Sequence, residues 1–150
     1  MGLIKAMSCQ QRLNLLETLK IALVTLKQRL IFTLASPEEL LQILTEDERF
    51  KKCEIISLAN LFAKEYGFEK GWKKAAEKQQ LLNAIEIDTV NSVADILGKS
   101  DLETQVKQLE IVIEQLNTII FEQKNRINEN KKLYITLGIL SSLVFAVMLI

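Results

Sequence analysis

The side chains able to do chemistry in this sequence are spaced so that no two of them readily act together. Histidine is absent. That removes the commonest general base, the Ser-His-Asp arrangement and the usual zinc ligand. Cys9 and Cys53 are too far apart in sequence for a CxxC pair, and both fall in helical patterns, so they read as reduced, half-buried thiols. The sole Gly-Lys step, Gly98-Lys99, lacks the upstream glycine of a phosphate-binding loop. Glu86 with Asp88, and Asp101 with Glu103, are acid pairs two residues apart, which a helix turns to different faces. Asp101 and Glu103 also open a helix, where the macrodipole favours anions without any catalytic role. The inventory therefore predicts no enzyme, no cofactor, no metal and no small-molecule substrate. A formal net charge of zero, from 19 Lys+Arg and 19 Asp+Glu, argues against a general nucleic-acid binder.

Two features remain as candidates for structural or partner contacts. The first is Leu97-Gly98-Lys99-Ser100-Asp101, followed by Gln105 and Lys107. Gly98 suits the left-handed position that ends a helix, and Ser100 suits the cap of the next. A tight corner is a sufficient explanation, and a partner contact is the alternative. The second is Trp72, flanked by Lys73 and Lys74. It is either a core plug or an exposed interface anchor, with the core as the expectation.

The elements around these features all read as helix. Leu13, Leu16, Leu19, Leu23, Leu26 and Leu30 predict a first helix from about Ser8 to Leu34. Ser36, Pro37 and Glu39 form the capping signature of a short second helix bearing Leu40, Leu41 and Leu44. A third is predicted from about Asp47 to Tyr66, carrying Phe50, Ile55, Leu58, Leu61 and Phe62 and stopped by Gly67. A fourth spans Glu69 to Lys78, weakened by Gly71. A fifth runs from Gln80 to Leu97 on Leu81, Leu82, Ile85, Val90, Val93 and Ile96. Ser100 and Glu103 then read as the capping box of a last helix, with Leu102, Val106, Leu109, Ile113, Leu116 and Ile120 spaced for packing against near-parallel or antiparallel neighbours. Its next seam positions, Gln123, Ile127 and Asn130, are less apolar.

No helix breaker lies between Asp101 and Ile150. The last eighteen residues, Leu133 to Ile150, carry no charge. At 1.5 Å per residue they span about 27 Å, close to a bilayer's hydrocarbon thickness. Lys131, Lys132 and Tyr134 stand at the boundary, where cations and an amphipathic aromatic suit headgroups. The fold predicted is all-α: an antiparallel bundle of about six helices over residues 1–130, whose last helix runs into a transmembrane anchor at 131–150. Lys124, Arg126, Lys131 and Lys132 place the body in the cytoplasm, with Ile150 at the far face. Lys5 interrupts the apolar stretch Gly2-Leu3-Ile4, which therefore does not read as a signal peptide. Charge is segregated. Residues 1–35 hold five bases against one acid, and residues 36–66 hold seven acids against four bases. The basic first helix suits a solvated face, anionic headgroups or an acidic partner.

This order of features resembles the stage III sporulation protein AB family across essentially all 150 residues. The residues carrying the resemblance are Arg12 with the leucines after it, Ser36-Pro37-Glu38-Glu39-Leu40, and Trp72. The corner Leu97-Gly98-Lys99-Ser100-Asp101 with Gln105 and Lys107 carries most of it, and Tyr134, Leu137 and Gly138 enter the apolar stretch. The resemblance implies a non-enzymatic platform component of the mother cell-to-forespore channel, set in the mother-cell side membrane around the forespore. Its soluble part would be similar to the F-type platform protein of type II secretion and type IV pilus machines. The implied partners are the ATPase stage III sporulation protein AA, other membrane proteins of the channel complex, and the lipid bilayer. Family members usually begin with a further membrane span, and this departure leaves two readings open: Gly2-Leu3-Ile4 as the last residues of such a span, or a chain with a single span. Lys27-Gln28-Arg29 departs from the more acidic first helix expected of the family. The residues alone leave a second reading open, a tail-anchored helical adaptor of another secretion or cell-envelope system.

Overall fold

Among the described residues six helices pack in a closed ring, each against the next in the chain and the last against the first. The computed structural model describes residues 2–149, and side chains outside 1–4, 6 and 150. In order they are α1 (Gly2–Thr33), α2 (Pro37–Glu46), a 3-10 turn (Glu48–Phe50), α3 (Glu54–Tyr66), α4 (Phe68–Glu77), α5 (Ala84–Ile96) and α6 (Leu102–Leu149). No strand occurs among the described residues. α1 and α6 run antiparallel: Lys27 pairs with Glu110 at 3.5 Å, and Glu17 with Lys124 at 2.8 Å. The six leucines predicted for α1 are all buried, as are Leu40, Leu41 and Leu44 of α2. Ser36 caps α2 with the reciprocal Glu39 bond, and Pro37 occupies its first turn.

The predicted third helix is instead broken near its start. Asp47 is extended and its carboxylate accepts the Arg49 N–H at 2.9 Å, while Cys53 is extended and sits at the N-cap of α3. The reason lies in Phe50. At about 3.6 residues per turn, an unbroken helix would carry Phe50 to the side opposite Ile55, Ile56, Ala59 and Ala63. The break lets Phe50 reach the same core, where it is 1% exposed. Leu61, expected inside, is exposed, and the small residues Ala59 and Ala63 take the buried positions.

Those small residues matter because α4 lies directly on them. Gly67, at φ 87°, joins α3 to α4 as a single-residue link. Four residues on, Gly71 was expected to weaken its helix, but its role is close approach. A Cβ at Gly71 would lie 2.6 Å from the Ala63 nitrogen and 2.9 Å from the Phe62 carbonyl carbon. Both are backbone atoms, so neither yields without parting the helices. Gly71→Ala is expected to destabilise the body by about 1–3 kcal/mol. Denaturant unfolding of the micellar protein checks this, with Gly138→Ala, which meets nothing within 4 Å, as the unaffected control.

The predicted fifth helix also starts later, at Ala84. Asn83 caps it, accepting the Glu86 N–H at 2.9 Å, and Glu86 returns the bond to the Asn83 N–H at 3.0 Å. This local box overrides the apolar pattern upstream. Val90, Val93 and Ile96 are buried as expected, whereas Leu81 and Ile85 are exposed. In α6, Leu109, Ile113, Leu116 and Ile120 are buried and Leu102 and Val106 pack at the edge. The helix continues unbroken for 48 residues, about 72 Å at 1.5 Å per residue. Beyond Ile127 every residue described is exposed.

Candidate functional site

At the end of the bundle farthest from the apolar part of α6, three helix starts converge. Gly98 adopts φ 77°, as the sequence predicts for a corner, and a Cβ there would lie 3.3 Å from the Pro37 ring at the start of α2. The corner is closed by Gln105, one turn into α6. Its buried amide accepts the Gly98 N–H at 3.1 Å and donates to the Ser100 carbonyl at 2.6 Å. Ser100 thus serves through its backbone, and the expected Ser100–Glu103 box does not form. Asp101 holds the cap position instead: its carbonyl accepts the Gln105 N–H at 3.0 Å and its carboxylate accepts the Thr104 hydroxyl at 2.5 Å. The Thr104 bond holds the Asp101 carboxyl below its usual range.

Neighbouring helices are tied to this corner by charge. Lys99 pairs with Glu69 of α4 at 2.7 Å, and the Phe68 N–H donates to Glu38 of α2 at 3.3 Å. Lys73 pairs with Asp95 of α5 at 2.9 Å. The bond from Lys99 lowers the Glu69 pKa, and the bond to Asp95 raises that of Lys73. Lys107 lies one turn beyond the corner, exposed, 3.2 Å from Glu103. Trp72 is in the core, fully buried, with its indole N–H donating to the Val90 carbonyl at 2.7 Å. The structure therefore brings Gly98, Ser100, Asp101 and Gln105 together, leaves Lys107 beside them, and puts Trp72 behind them as the bond between α4 and α5.

Two features of the ends leave no local signal in the sequence. Beside the corner, Phe32 is 84% exposed, and Leu34 is exposed with φ 53°, a left-handed conformation costly for a side chain with a Cβ. Near the opposite end, Arg12 grips the buried Glu86. Its Nε lies 2.9 and 3.0 Å from the two carboxylate oxygens, and a terminal guanidinium nitrogen also bonds Oε2. Asn83 followed by Glu86 was a readable capping signature, but nothing local connects either residue to Arg12.

The thiols have no shared chemistry: Cys9 is half-buried in α1, and Cys53 is buried with its pKa pushed up by burial. Lys131, Lys132 and Tyr134 are exposed on α6 where its apolar part begins. That part is long and apolar enough to cross a membrane, and none of it is buried in the bundle. Its Thr136 and Ser142 hydroxyls donate to the carbonyls of Lys132 and Gly138 at 2.9 and 3.0 Å. These bonds satisfy the hydroxyls without water, as hydrocarbon requires. Ile150, expected at the far face, lies outside the described residues, as do the side chains of Gly2-Leu3-Ile4.

Residues 1–150 match the profile of the stage III sporulation protein AB family. No curated protein and no solved structure matches the chain significantly.

Proposed function

The chain belongs to the stage III sporulation protein AB family, and we propose from this premise that it is a platform of the mother cell-to-forespore channel. Family membership gives it a role in stage III of sporulation, and this is not known as an enzyme family. In the proposed role it couples a cytoplasmic secretion-type ATPase, stage III sporulation protein AA, to the membrane complex. The observation that carries this reading is the single helix α6, which begins at the Gly98 corner and extends without a break through the apolar stretch. Its first half is packed in the bundle, and all of it beyond Ile127 is bare. A force on the corner is then delivered to the bilayer through one stiff rod rather than a loop. The basic residues Lys124, Arg126, Lys131 and Lys132 favour a cytoplasmic body on the mother-cell side.

The rod is what the experiment interrupts. A flexible Gly-Ser segment inserted after Glu129, in the exposed part of α6, leaves the packed seam and the anchor intact. In sporulating cells the ATPase is expected to co-fractionate with membranes in both the unaltered and the inserted strain, while the inserted strain loses channel function. An ATPase that stays soluble in the unaltered strain, or full channel function with the insert, overturns the reading.

A further inference from the structure

The α1–α6 pair has one face that the rest of the chain leaves open. Along α1, Met7, Asn14, Ile21 and Gln28 repeat every seven residues on this side, with Val24 between the last two and Ile31 beyond them. Ile21 and Ile31 are both nearly half exposed. On α6, Ile111 and Phe121 stand outward, 58% and 66% exposed. A seven-residue repeat is the pattern one helix offers to another along its length. The face carries Glu17, Lys20 and Lys27 on its α1 side, and Lys107, Glu110, Glu114 and Lys124 on its α6 side.

We propose that this face binds a second copy of the chain, in a two-fold dimer whose axis runs along α6. The proposal rests on the reading that α6 crosses a membrane. Copies anchored in one bilayer share one orientation, and the two-fold axis that preserves it is the one along the membrane normal. That rotation exchanges left and right but keeps height, so α1 of each copy meets α6 of the other. Heights are fixed by the ion pairs within the chain, Lys27 beside Glu110 and Glu17 beside Lys124. By this register Ile111 of the second copy enters between Val24 and Ile31, and Phe121 of the second copy lies on the membrane side of Ile21. The apolar side chains interleave instead of colliding. Lys27 comes level with Glu110 and Glu114 of the second copy, and Glu17 with its Lys124, so opposite charges stand at matching heights. About thirty residues of helix, ~45 Å long, and two helices ~20 Å wide present ~900 Å² per copy, against ~800 Å² in an ordinary stable interface.

The test uses the full chain in lipid nanodiscs or native membranes, with Cys9→Ser and Cys53→Ala as background. Chains carrying Ile21→Cys mixed with chains carrying Thr118→Cys are expected to give a disulfide-linked dimer on mild oxidation, while either chain alone gives none. Light scattering of the unaltered chain in micelles is expected to show a dimer. Lys27→Glu is expected to weaken that dimer about tenfold, and Glu114→Lys added to it to restore the affinity. A chain that stays monomeric at every concentration overturns the proposal. So does equal crosslinking from Leu61→Cys on the far side of the bundle, or capture of a different protein on this face by a monomeric chain. Alkaline carbonate extraction of the same samples reports membrane insertion separately, so loss of the dimer and loss of the anchor are distinguished.

Discussion

Replacing Arg12 by alanine is expected to destabilise the folded chain by about 3–5 kcal/mol, because it leaves the Glu86 carboxylate buried and unpaired. The Glu86 side chain is 1% exposed and that of Arg12 is 22% exposed. Water therefore replaces little of the lost guanidinium. Glu86 also holds the Asn83 N–H, so the same carboxylate caps α5 and ties it to α1. Arg12→Lys is expected to recover only part of the loss, since an ammonium does not match both oxygens as a planar fork does. Glu86→Gln is expected to cost less than Arg12→Ala, because the guanidinium it frees is partly in water. The pair replaced together by Met and Leu is expected to fall well below the sum of the single effects. Chemical unfolding of the full chain in micelles, run as a double-mutant cycle, measures each term. A loss below about 1 kcal/mol for Arg12→Ala would place the pair with ordinary surface ion pairs.

The contrast between this pair and the leucine ladder shows what a linear sequence displays. The leucines of α1, the capping box at Ser36–Glu39, the Gly67 and Gly98 stops and the seam of α6 each follow from spacing within one helix. All were readable because period and cap are local. What was not readable depended on two segments meeting. Phe50 had to break a helix to reach a core that α1 and α3 build together. Within α4 alone Gly71 reads as a weakness, and its reason, the backbone of Ala63 against it, belongs to α3. Arg12 and Glu86 sit on separate helices, and no spacing rule joins them. At the corner, the glycine was legible and the closing device was not. Gln105 reaches back across the turn to Gly98 and Ser100, a bond whose partners are set by the fold of the corner rather than by a capping pattern. The apolar end of α6 was the most legible element of all. Its continuity with a buried seam is the structural fact on which the platform reading depends.

Trp72→Ala is expected to cost about 3–5 kcal/mol, the range for removing a large aromatic from a packed core. The side chain is fully buried, packs on Phe68 at 5.7 Å between ring centres, and bonds the Val90 carbonyl. Trp72→Phe keeps much of the buried area and loses the indole bond. Val90 still has its acceptor role within α5, so the phenylalanine variant is expected to lose less, about 1–2 kcal/mol. Both losses should appear in thermal or denaturant unfolding. Their functional consequence follows from position, because Trp72 joins α4 to α5 just behind the Gly98 corner. Loosening that joint frees the Lys73–Asp95 and Lys99–Glu69 ties, so the corner and α6 are no longer held as one body. The ordering separates the two readings of this residue. A core plug predicts that stability and the ATPase recruitment proposed above fall together, with phenylalanine between tryptophan and alanine in both. An interface anchor predicts an alanine variant as stable as the parent that fails only to recruit, and the burial of the indole makes the first outcome the expected one.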